Sequence, residues 1–262
     1  TKLVPFSYLP IWIFISTPIL HLIFFFIGFY FNFNLFLNKL FQTDKNKSVA
    51  GLESYRILRL NLAPYNLSGY QVCPMASQGC ASACLHTAGN PVFQKQKDKG
   101  RINRTRYYMQ DRTGFLKQLF KELVNFEKWC TKNSFIPVCR LNTTSDISWE
   151  IFEIFSQFPK INFYDYTKIQ KRALKFAGGE YPPNYHLTYS LNEDNYDKAK
   201  EVLNKGGNVA VVFRKDLPQT FMGHRVVNGD LHDLRLLDPK NVVVGLKAKG
   251  KAKTDYSGFV MN

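Results

Sequence analysis

The chain has 262 residues and carries 35 Lys+Arg against 20 Asp+Glu, a formal net charge of +15; apolar residues make up 45% and aromatics 15%. That length can bury a real core, and the composition excludes collagen, low-complexity disorder and a small disulfide scaffold. The charge is uneven: only Lys2 and Lys39 are charged before Asp44, so residues 44–262 carry +13.

Residues 1–43 form an apolar leader with ten of the 23 Phe. Residues 3–38 have no formal charge, and Ile19–Phe31 is dense enough, with its flanks, to cross a bilayer as a helix. Lys39, Lys45 and Lys47 follow, which would leave the rest cytoplasmic by the positive-inside rule. A second reading stays open. There is no Met before Met75, and Pro5, Pro10 and Pro18 interrupt the segment. It could equally be upstream sequence translated in frame. A cleaved signal peptide fits poorly, since no A-x-A-like site ends a short apolar core. Membrane contact is expected only if this leader is genuine, and the remainder is expected to fold without it.

Asp44–Gly51 reads as a polar linker opening a single domain, 44–262. Strand signals follow at Ile57–Ala63, Phe135–Leu141, Ile161–Tyr166, Tyr185–Ser190, Asn208–Arg214 and Val242–Lys247. Helical periodicity lies between them, longest at Asn103–Thr131. Shorter helices are expected at Trp149–Gln157, Lys168–Phe176 and Asn195–Lys205, the last stopped by Gly206-Gly207. The middle strands recur about every 24 residues. Alternating strands and helices predict a parallel sheet with right-handed crossovers. Six strands are too few for a closed eight-fold barrel. A doubly wound sheet stays open as an alternative, and the expected fold is α/β, a partial (βα)6 TIM-like barrel.

In such folds the site lies at the C-terminal strand ends. Here those ends are polar: Asn142-Thr143-Thr144-Ser145-Asp146, then Asp165 to Lys168, then Ser190-Leu191-Asn192-Glu193, then Arg214. Each cluster could serve only as a helix cap. Four in register at one sheet edge point to a site.

The loop after the first strand holds Cys73, Cys80 and Cys84, a C-x6-C-x3-C run among small residues. Three thiolates can hold a soft metal and leave one position open. They suit a [4Fe-4S] cluster with one free iron. Zinc would want a fourth ligand, His86 or a remote side chain; the plain alternative is three ordinary or disulfide-forming cysteines with no metal, although an odd trio argues against simple pairing. Cys130 and Cys139 read as core residues.

Basic residues gather at Arg101, Arg104, Arg106 and Arg112, and at Lys247, Lys249, Lys251 and Lys253. With Arg214 and Arg235 they suggest contact with phosphate, in a nucleotide or nucleic acid. The plain alternative is a solvated basic tail. The five His make no recognisable triad; Asp230, His232 and Asp233 could still form a hydrolytic or metal cluster, but read more simply as a polar loop from which Arg235 or Asp233 could reach the site.

The runs NLAPYNLSGYQVCPMASQGCASACLHTAGN, RTRYYMQDR, LNTTSDISWE, NFYDYTK, NYHLTYSLNE, NVAVVFR, LRLLDPKNVVVGLKAKGKAK and DYSGFV resemble the phage gene product 88 family over about residues 46–260. That resemblance implies a phage, prophage or plasmid setting, with the domain in the bacterial cytoplasm or, if the leader is genuine, anchored at the inner membrane. It implies no reaction. A second resemblance is to radical S-adenosylmethionine enzymes, which are partial (βα)6 barrels with three cluster cysteines in the loop after strand one. The spacing departs from the usual C-x3-C-x2-C, and no aromatic directly precedes Cys84. Gly178-Gly179-Glu180 imitates that superfamily's GGE motif but precedes strand four, so it is read as a turn.

The second resemblance implies that Cys73, Cys80 and Cys84 hold the cluster. Asn142, Ser145, Asp146, Asp165, Lys168, Ser190 and Asn192 would hold S-adenosylmethionine. Arg104, Arg106, Arg214, Arg235, Lys247 and Lys249 would face a phosphate-bearing substrate. The competing expectation is a non-enzymatic nucleic-acid-binding phage protein with a structural cysteine or zinc site.

Overall fold

The structure is a computed structural model that describes residues 39–45 and 51–262. The expectations for residues 1–38, and for most of the polar linker, lie outside the described residues. Among the described residues no helix is long and apolar enough to cross a membrane.

The six expected strands are all present, close to the expected bounds: β2 (Tyr55–Leu60), β3 (Ile136–Arg140), β4 (Asn162–Thr167), β5 (Tyr185–Ser190), β6 (Asn208–Phe213) and β9 (Val243–Lys247). They pair side by side in chain order, each parallel to the next. Helical or turn segments cross between them, as parallel pairing requires. The fold is mixed α/β with a mostly parallel sheet. The sheet is open, and these six run through it in the order β2-β3-β4-β5-β6-β9.

Four strands were not expected. β1 (Phe41–Lys45) lies antiparallel on β2 and starts ahead of the expected domain boundary at residue 44. Its backbone entry is fixed by Glu122, whose carboxylate accepts the Leu40 N–H at 2.8 Å and the Phe41 N–H at 3.2 Å. β7 (Thr220–Phe221) and β8 (His224–Asn228) form a hairpin at the other edge. Its turn is Met222-Gly223, with φ of +55° and +79°. Both turn residues being left-handed matches the twist of the flanking strands. β10 (Val260–Met261) pairs with the end of β6, at Val212 and Phe213, beyond the point where β5 stops at Ala210.

The long helix expected at 103–131 is two helices, α2 (Gln94–Gln110) and α3 (Arg112–Lys132). Asp111 divides them. Its carboxylate accepts the Gly114 N–H at 2.9 Å and caps α3. Asp favours that role over a helix interior because its short side chain competes for backbone N–H groups. The segment Trp149–Gln157 is a 3-10 turn (Trp149–Phe152) and a single α-turn, α4 (Ile154–Gln157), separated by Glu153 at φ +54°. α5 (Gln170–Ala177) and α6 (Tyr196–Asn204) lie where expected. The five-residue α1 (Gln78–Ser82) sits inside the cysteine loop.

Alternation along the strands separates two faces. On one, Tyr189, Val209, Val211 and Val243 pack with Ala173 of α5 and Val202 and Leu203 of α6. On the other, Ile57, Val138 and Tyr164 pack against Leu234, from the segment between β8 and β9. That segment lies over β4 and β5, where the opposite face carries helices. The six parallel strands therefore have helices on one face and a loop-filled interior on the other.

Candidate functional site

A cavity of about 680 Å³ opens at the C-terminal ends of the parallel strands. Its wall starts with the loop after β2, which supplies Cys73, Cys80 and Cys84. All three thiols are free and half-buried. The loop is tied down at several points. Ser77 caps α1, its hydroxyl oxygen accepting the Cys80 N–H at 3.2 Å. The same hydroxyl donates to Glu193 at 2.7 Å, and the Gly79 N–H donates to the other Glu193 oxygen at 2.6 Å. The Asn192 amide donates to the Met75 carbonyl at 3.4 Å. The end of β5 thus anchors the loop that presents Cys80.

Gly79 is required by close packing. A Cβ there would lie 2.6 Å from Glu193 Oε1 and 2.9 Å from Phe259 Cβ, and would strike Ser257 Oγ. Cys73 Sγ accepts the Tyr65 N–H at 3.4 Å and faces the Thr144 carbonyl at 3.6 Å. Burial pushes the Cys73 thiol up to about 12, against the Tyr65 bond, with smaller upward contributions from Cys84, Asp146 and Cys80. Burial raises Cys84 as well, and Cys80 adds to it.

The loop after β3 forms the next wall. Asn142, Ser145 and Asp146 line the cavity, with Thr143 and Thr144 between them. Asn142 organises this loop: its side-chain oxygen accepts from Ser145 Oγ at 2.8 Å, the Ile147 N–H at 2.9 Å and the Trp149 indole at 3.1 Å. Asp165 stands behind it, outside the cavity lining. Its carboxylate accepts the Asn142 N–H at 2.6 Å. Full burial raises Asp165 to about 7, only partly offset by that N–H and by Arg172. Asp146 accepts Thr167 Oγ1 and the Lys168 N–H, each at 2.8 Å, and pairs with Arg172 at 2.8 Å. Lys168 and Ser190 line the cavity too, joined by a 2.9 Å bond. Asn192 is an anchor of the cysteine loop and does not line the cavity.

The basic residues divide. Lys247 and Lys249 reach the cavity wall, where Lys249 pairs with Asp230 at 2.5 Å. Arg104, Arg106, Arg214 and Arg235 lie outside it and hold backbone carbonyls. Arg104 donates to Asn61 at 2.9 Å and Arg106 to Ser68 at 3.2 Å. Arg214 clamps the C-terminal segment at the Lys253 and Asp255 carbonyls. Arg235 is buried on the interior face, bonded to the Gly229 carbonyl at 3.1 Å and paired with Asp238 at 3.3 Å.

Two cavity cations escaped the sequence reading, Arg59 and Arg140. They are direct register partners on β2 and β3. Asp233 joins them, 2.9 Å from Arg59 and 3.3 Å from Arg140, and accepts the Tyr164 hydroxyl at 3.0 Å. Burial would raise the Asp233 pKa, but Arg140, Arg59 and Arg235 together hold it below the usual carboxylate range. The available signal was strand alternation, which puts an Arg near the end of each strand on the face opposite Leu58 and Cys139.

Among the described residues no three Cys, His, Asp or Glu side chains form a group that could hold a metal ion. Zn–S bonds of about 2.3 Å would require such a close group. The three cysteines share one cavity with the small side chains Ala76 and Ala83.

Neither a curated protein nor a solved structure matches the chain. The family model for Gene product 88 matches residues 37–262, a span that takes in every described strand, β1 included. The chain therefore belongs to the gene product 88 family.

Proposed function

We propose that the six parallel strands are a partial (βα)6 barrel and that the cavity at their C-terminal ends is the active site of an iron–sulfur enzyme of the radical S-adenosylmethionine type, acting on a phosphate-bearing substrate. One observation carries the reading: three cysteines from the loop after the first parallel strand line the same cavity as the polar ends of the following strands.

In this reading Cys73, Cys80 and Cys84 hold a [4Fe-4S] cluster. When bound, cluster and S-adenosylmethionine supply reductive radical chemistry, and the protein contributes binding, orientation and exclusion of water. Glu193 and Asn192 keep the cysteine loop on the end of β5. Asn142 and Ser145 present polar atoms fixed by their own mutual bond. Lys168 and Ser190 give a cation and a hydroxyl for the polar parts of a ligand. Ala210, Val212, Leu246 and Phe259 provide the apolar part of the lining.

Anaerobic reconstitution tests the reading. Iron and acid-labile sulfide should co-purify with visible thiolate-to-iron absorption, and each of Cys73→Ala, Cys80→Ala and Cys84→Ala should lose them. Protein without iron and sulfide, or Cys→Ala variants indistinguishable from the parent, would overturn it. Zinc by elemental analysis, with steeply salt-dependent DNA binding, would instead favour a nucleic-acid-binding protein with a structural metal.

A further inference from the structure

We infer that the lip of the cavity formed by Lys247 to Tyr256 binds a single-stranded nucleic acid, with Lys251 and Lys253 on its phosphates and the Tyr256 ring against one of its bases. The inference rests on the proposed reading only in taking the neighbouring cavity as the substrate site, and it does not depend on a cluster.

The sequence alternates through Lys247-Ala248-Lys249-Gly250-Lys251-Ala252-Lys253, and its burial alternates with it. All four lysines are exposed. Ala248 and Ala252 are buried, packed with Ala83 of the cysteine loop, Phe259 and Val260. The small alanines let the backbone settle on that loop and leave the lysines on its outer side. The backbone is also tied along its length. The Ala248 N–H donates to the Phe213 carbonyl at 2.9 Å and the Lys251 N–H to Thr87 Oγ1 at 3.3 Å. Arg214 donates to the Lys253 and Asp255 carbonyls. The 3-10 turn Gly250–Thr254 packs on a second one, Leu85–Thr87, just past Cys84. The run is therefore a fixed ridge, so a ligand has only its side chains to order.

Lys249 pairs with Asp230 at 2.5 Å, and Lys247 with the fully exposed Asp216 at 3.5 Å. Exposed pairs of this kind contribute little and exchange readily for a phosphate. Among the described residues no carboxylate lies within ion-pair range of Lys251 or Lys253. Asp255 is turned instead to the Ser257 hydroxyl at 2.8 Å and the Val260 N–H at 3.3 Å. The basic strip continues past Leu85–Thr87, where the Lys97 ammonium of α2 lies over Gly89. Asp98, next to it in the chain, is paired with Arg101 at 2.8 Å. A fixed row of cations short of acids attracts a polyanion.

Tyr256 selects the kind of polyanion. It is 84% exposed, and the Arg214 guanidinium lies over its ring at 4.4 Å. Arg214 is itself fixed by the carbonyls it holds, so the ring is kept in place while most of it stays in solvent. Cations beside a held aromatic ring make a stacking platform for unpaired bases. The bases of a duplex are already stacked on one another and offer no face to it. Lys247, Lys249 and Ala252 also line the cavity, so a strand lying along the ridge passes its mouth. Leu85 and Leu231, both lining the cavity and exposed, add apolar surface there.

Fluorescence anisotropy of the full chain with labelled oligo-dT and oligo-rU of about 20 nucleotides tests the inference. At least one strand should bind, and in preference to a duplex of the same length. Lys251→Gln/Lys253→Gln should weaken binding about fivefold or more. It should also lower the slope of log affinity against log salt by about 1.4, two phosphates at about 0.7 each. Tyr256→Ala should weaken binding about fivefold or more with the slope unchanged, as loss of stacking requires. Lys128→Gln/Lys132→Gln removes the same charge where α3 leads into β3, at the opposite end of the sheet, and should stay within about twofold of the parent. Preference for DNA or for RNA identifies the strand, and either supports the inference. Binding of neither strand overturns it. So does equal or tighter binding of the duplex or of phosphatidylglycerol vesicles, and so do Lys251→Gln/Lys253→Gln or Tyr256→Ala variants that bind like the parent. Iron and sulfide are measured on the same preparations. An iron-loaded parent that binds no strand fails the lip alone, and a parent that binds the strand without iron or sulfide fails the iron–sulfur reading alone.

Discussion

Replacing Arg172 with Met should be among the most damaging single changes in the domain. Arg172 sits on α5 and is 4% exposed. Its guanidinium holds Glu150 through two bonds of 2.8 and 2.9 Å, Asp146 at 2.8 Å and the Tyr185 hydroxyl at 2.9 Å. Burial would lower its pKa, but Tyr185, Glu150 and Asp146 outweigh that and raise it, so it is charged at any working pH. Methionine fills most of the stem volume and removes the charge. Two carboxylates, at Asp146 and Glu150, are then left without their guanidinium. Breaking a buried pair in this way costs about 3–5 kcal/mol. For a urea slope of about 3 kcal/mol/M, the unfolding midpoint should fall by about 1–1.7 M. Equilibrium urea unfolding followed by circular dichroism measures it. Adding Glu150→Gln to Arg172→Met should recover part of the loss, since one stranded charge is neutralised. A midpoint shift below about 0.3 M, or no recovery in the double variant, would refute the reasoning that this network is held by its central cation.

Three further outcomes follow from the same geometry. Gly79→Ala should destabilise by about 1–3 kcal/mol in a thermal or urea melt, because its methyl group has no room beside Glu193 and Phe259. Glu193→Ala should free Ser77 and the Gly79 N–H, so limited proteolysis should cut the 73–84 loop faster while the main unfolding transition moves by no more than about 3 kcal/mol. Asp165, raised to about 7 by burial, should make stability fall as pH rises. Its proton is kept by the folded state and released by the unfolded one between pH of about 4 and 7, so its contribution is complete below that window and lost above it. Urea midpoints across pH 4–8 should therefore slope downward more steeply in the parent than in Asp165→Asn, on the order of 1.4 kcal/mol per pH unit at most.

The parallel sheet was legible because its signals are local. Each buried strand is a short β-branched or aromatic run ending in polar residues, and the bounds Tyr185–Ser190 were read without error. The missed strands lack that signature. β1 (FQTDK) is polar and became a strand through Glu122 and pairing with β2. β10 is two residues long and forms only because β6 outruns β5. The apolar periodicity through Phe115, Leu119 and Leu123 belongs to α3 alone, whereas α2 buries Arg104, Thr105, Tyr107 and Tyr108 without such a stripe, so its own length and its end at Asp111 were not legible from periodicity.

The cysteines, most of the polar strand ends and the cations Lys168, Lys247 and Lys249 that line the cavity were legible in the sequence; Arg59 and Arg140 were not. Arg104 and Arg106 cluster in the sequence, yet each is spent on a loop carbonyl, because a helix one layer from the cavity needs those donors to hold the chain after β2. Linear density of basic residues measures solvated charge and says little about where a cation is enclosed. Arg59 and Arg140 are 81 positions apart and look unremarkable in the sequence. The parallel register makes them neighbours, and the loop carrying Asp233 makes them a cluster. Enclosed charge depends on pairing between distant strands, and a partner such as Asp233 becomes recognisable only once that pairing is known.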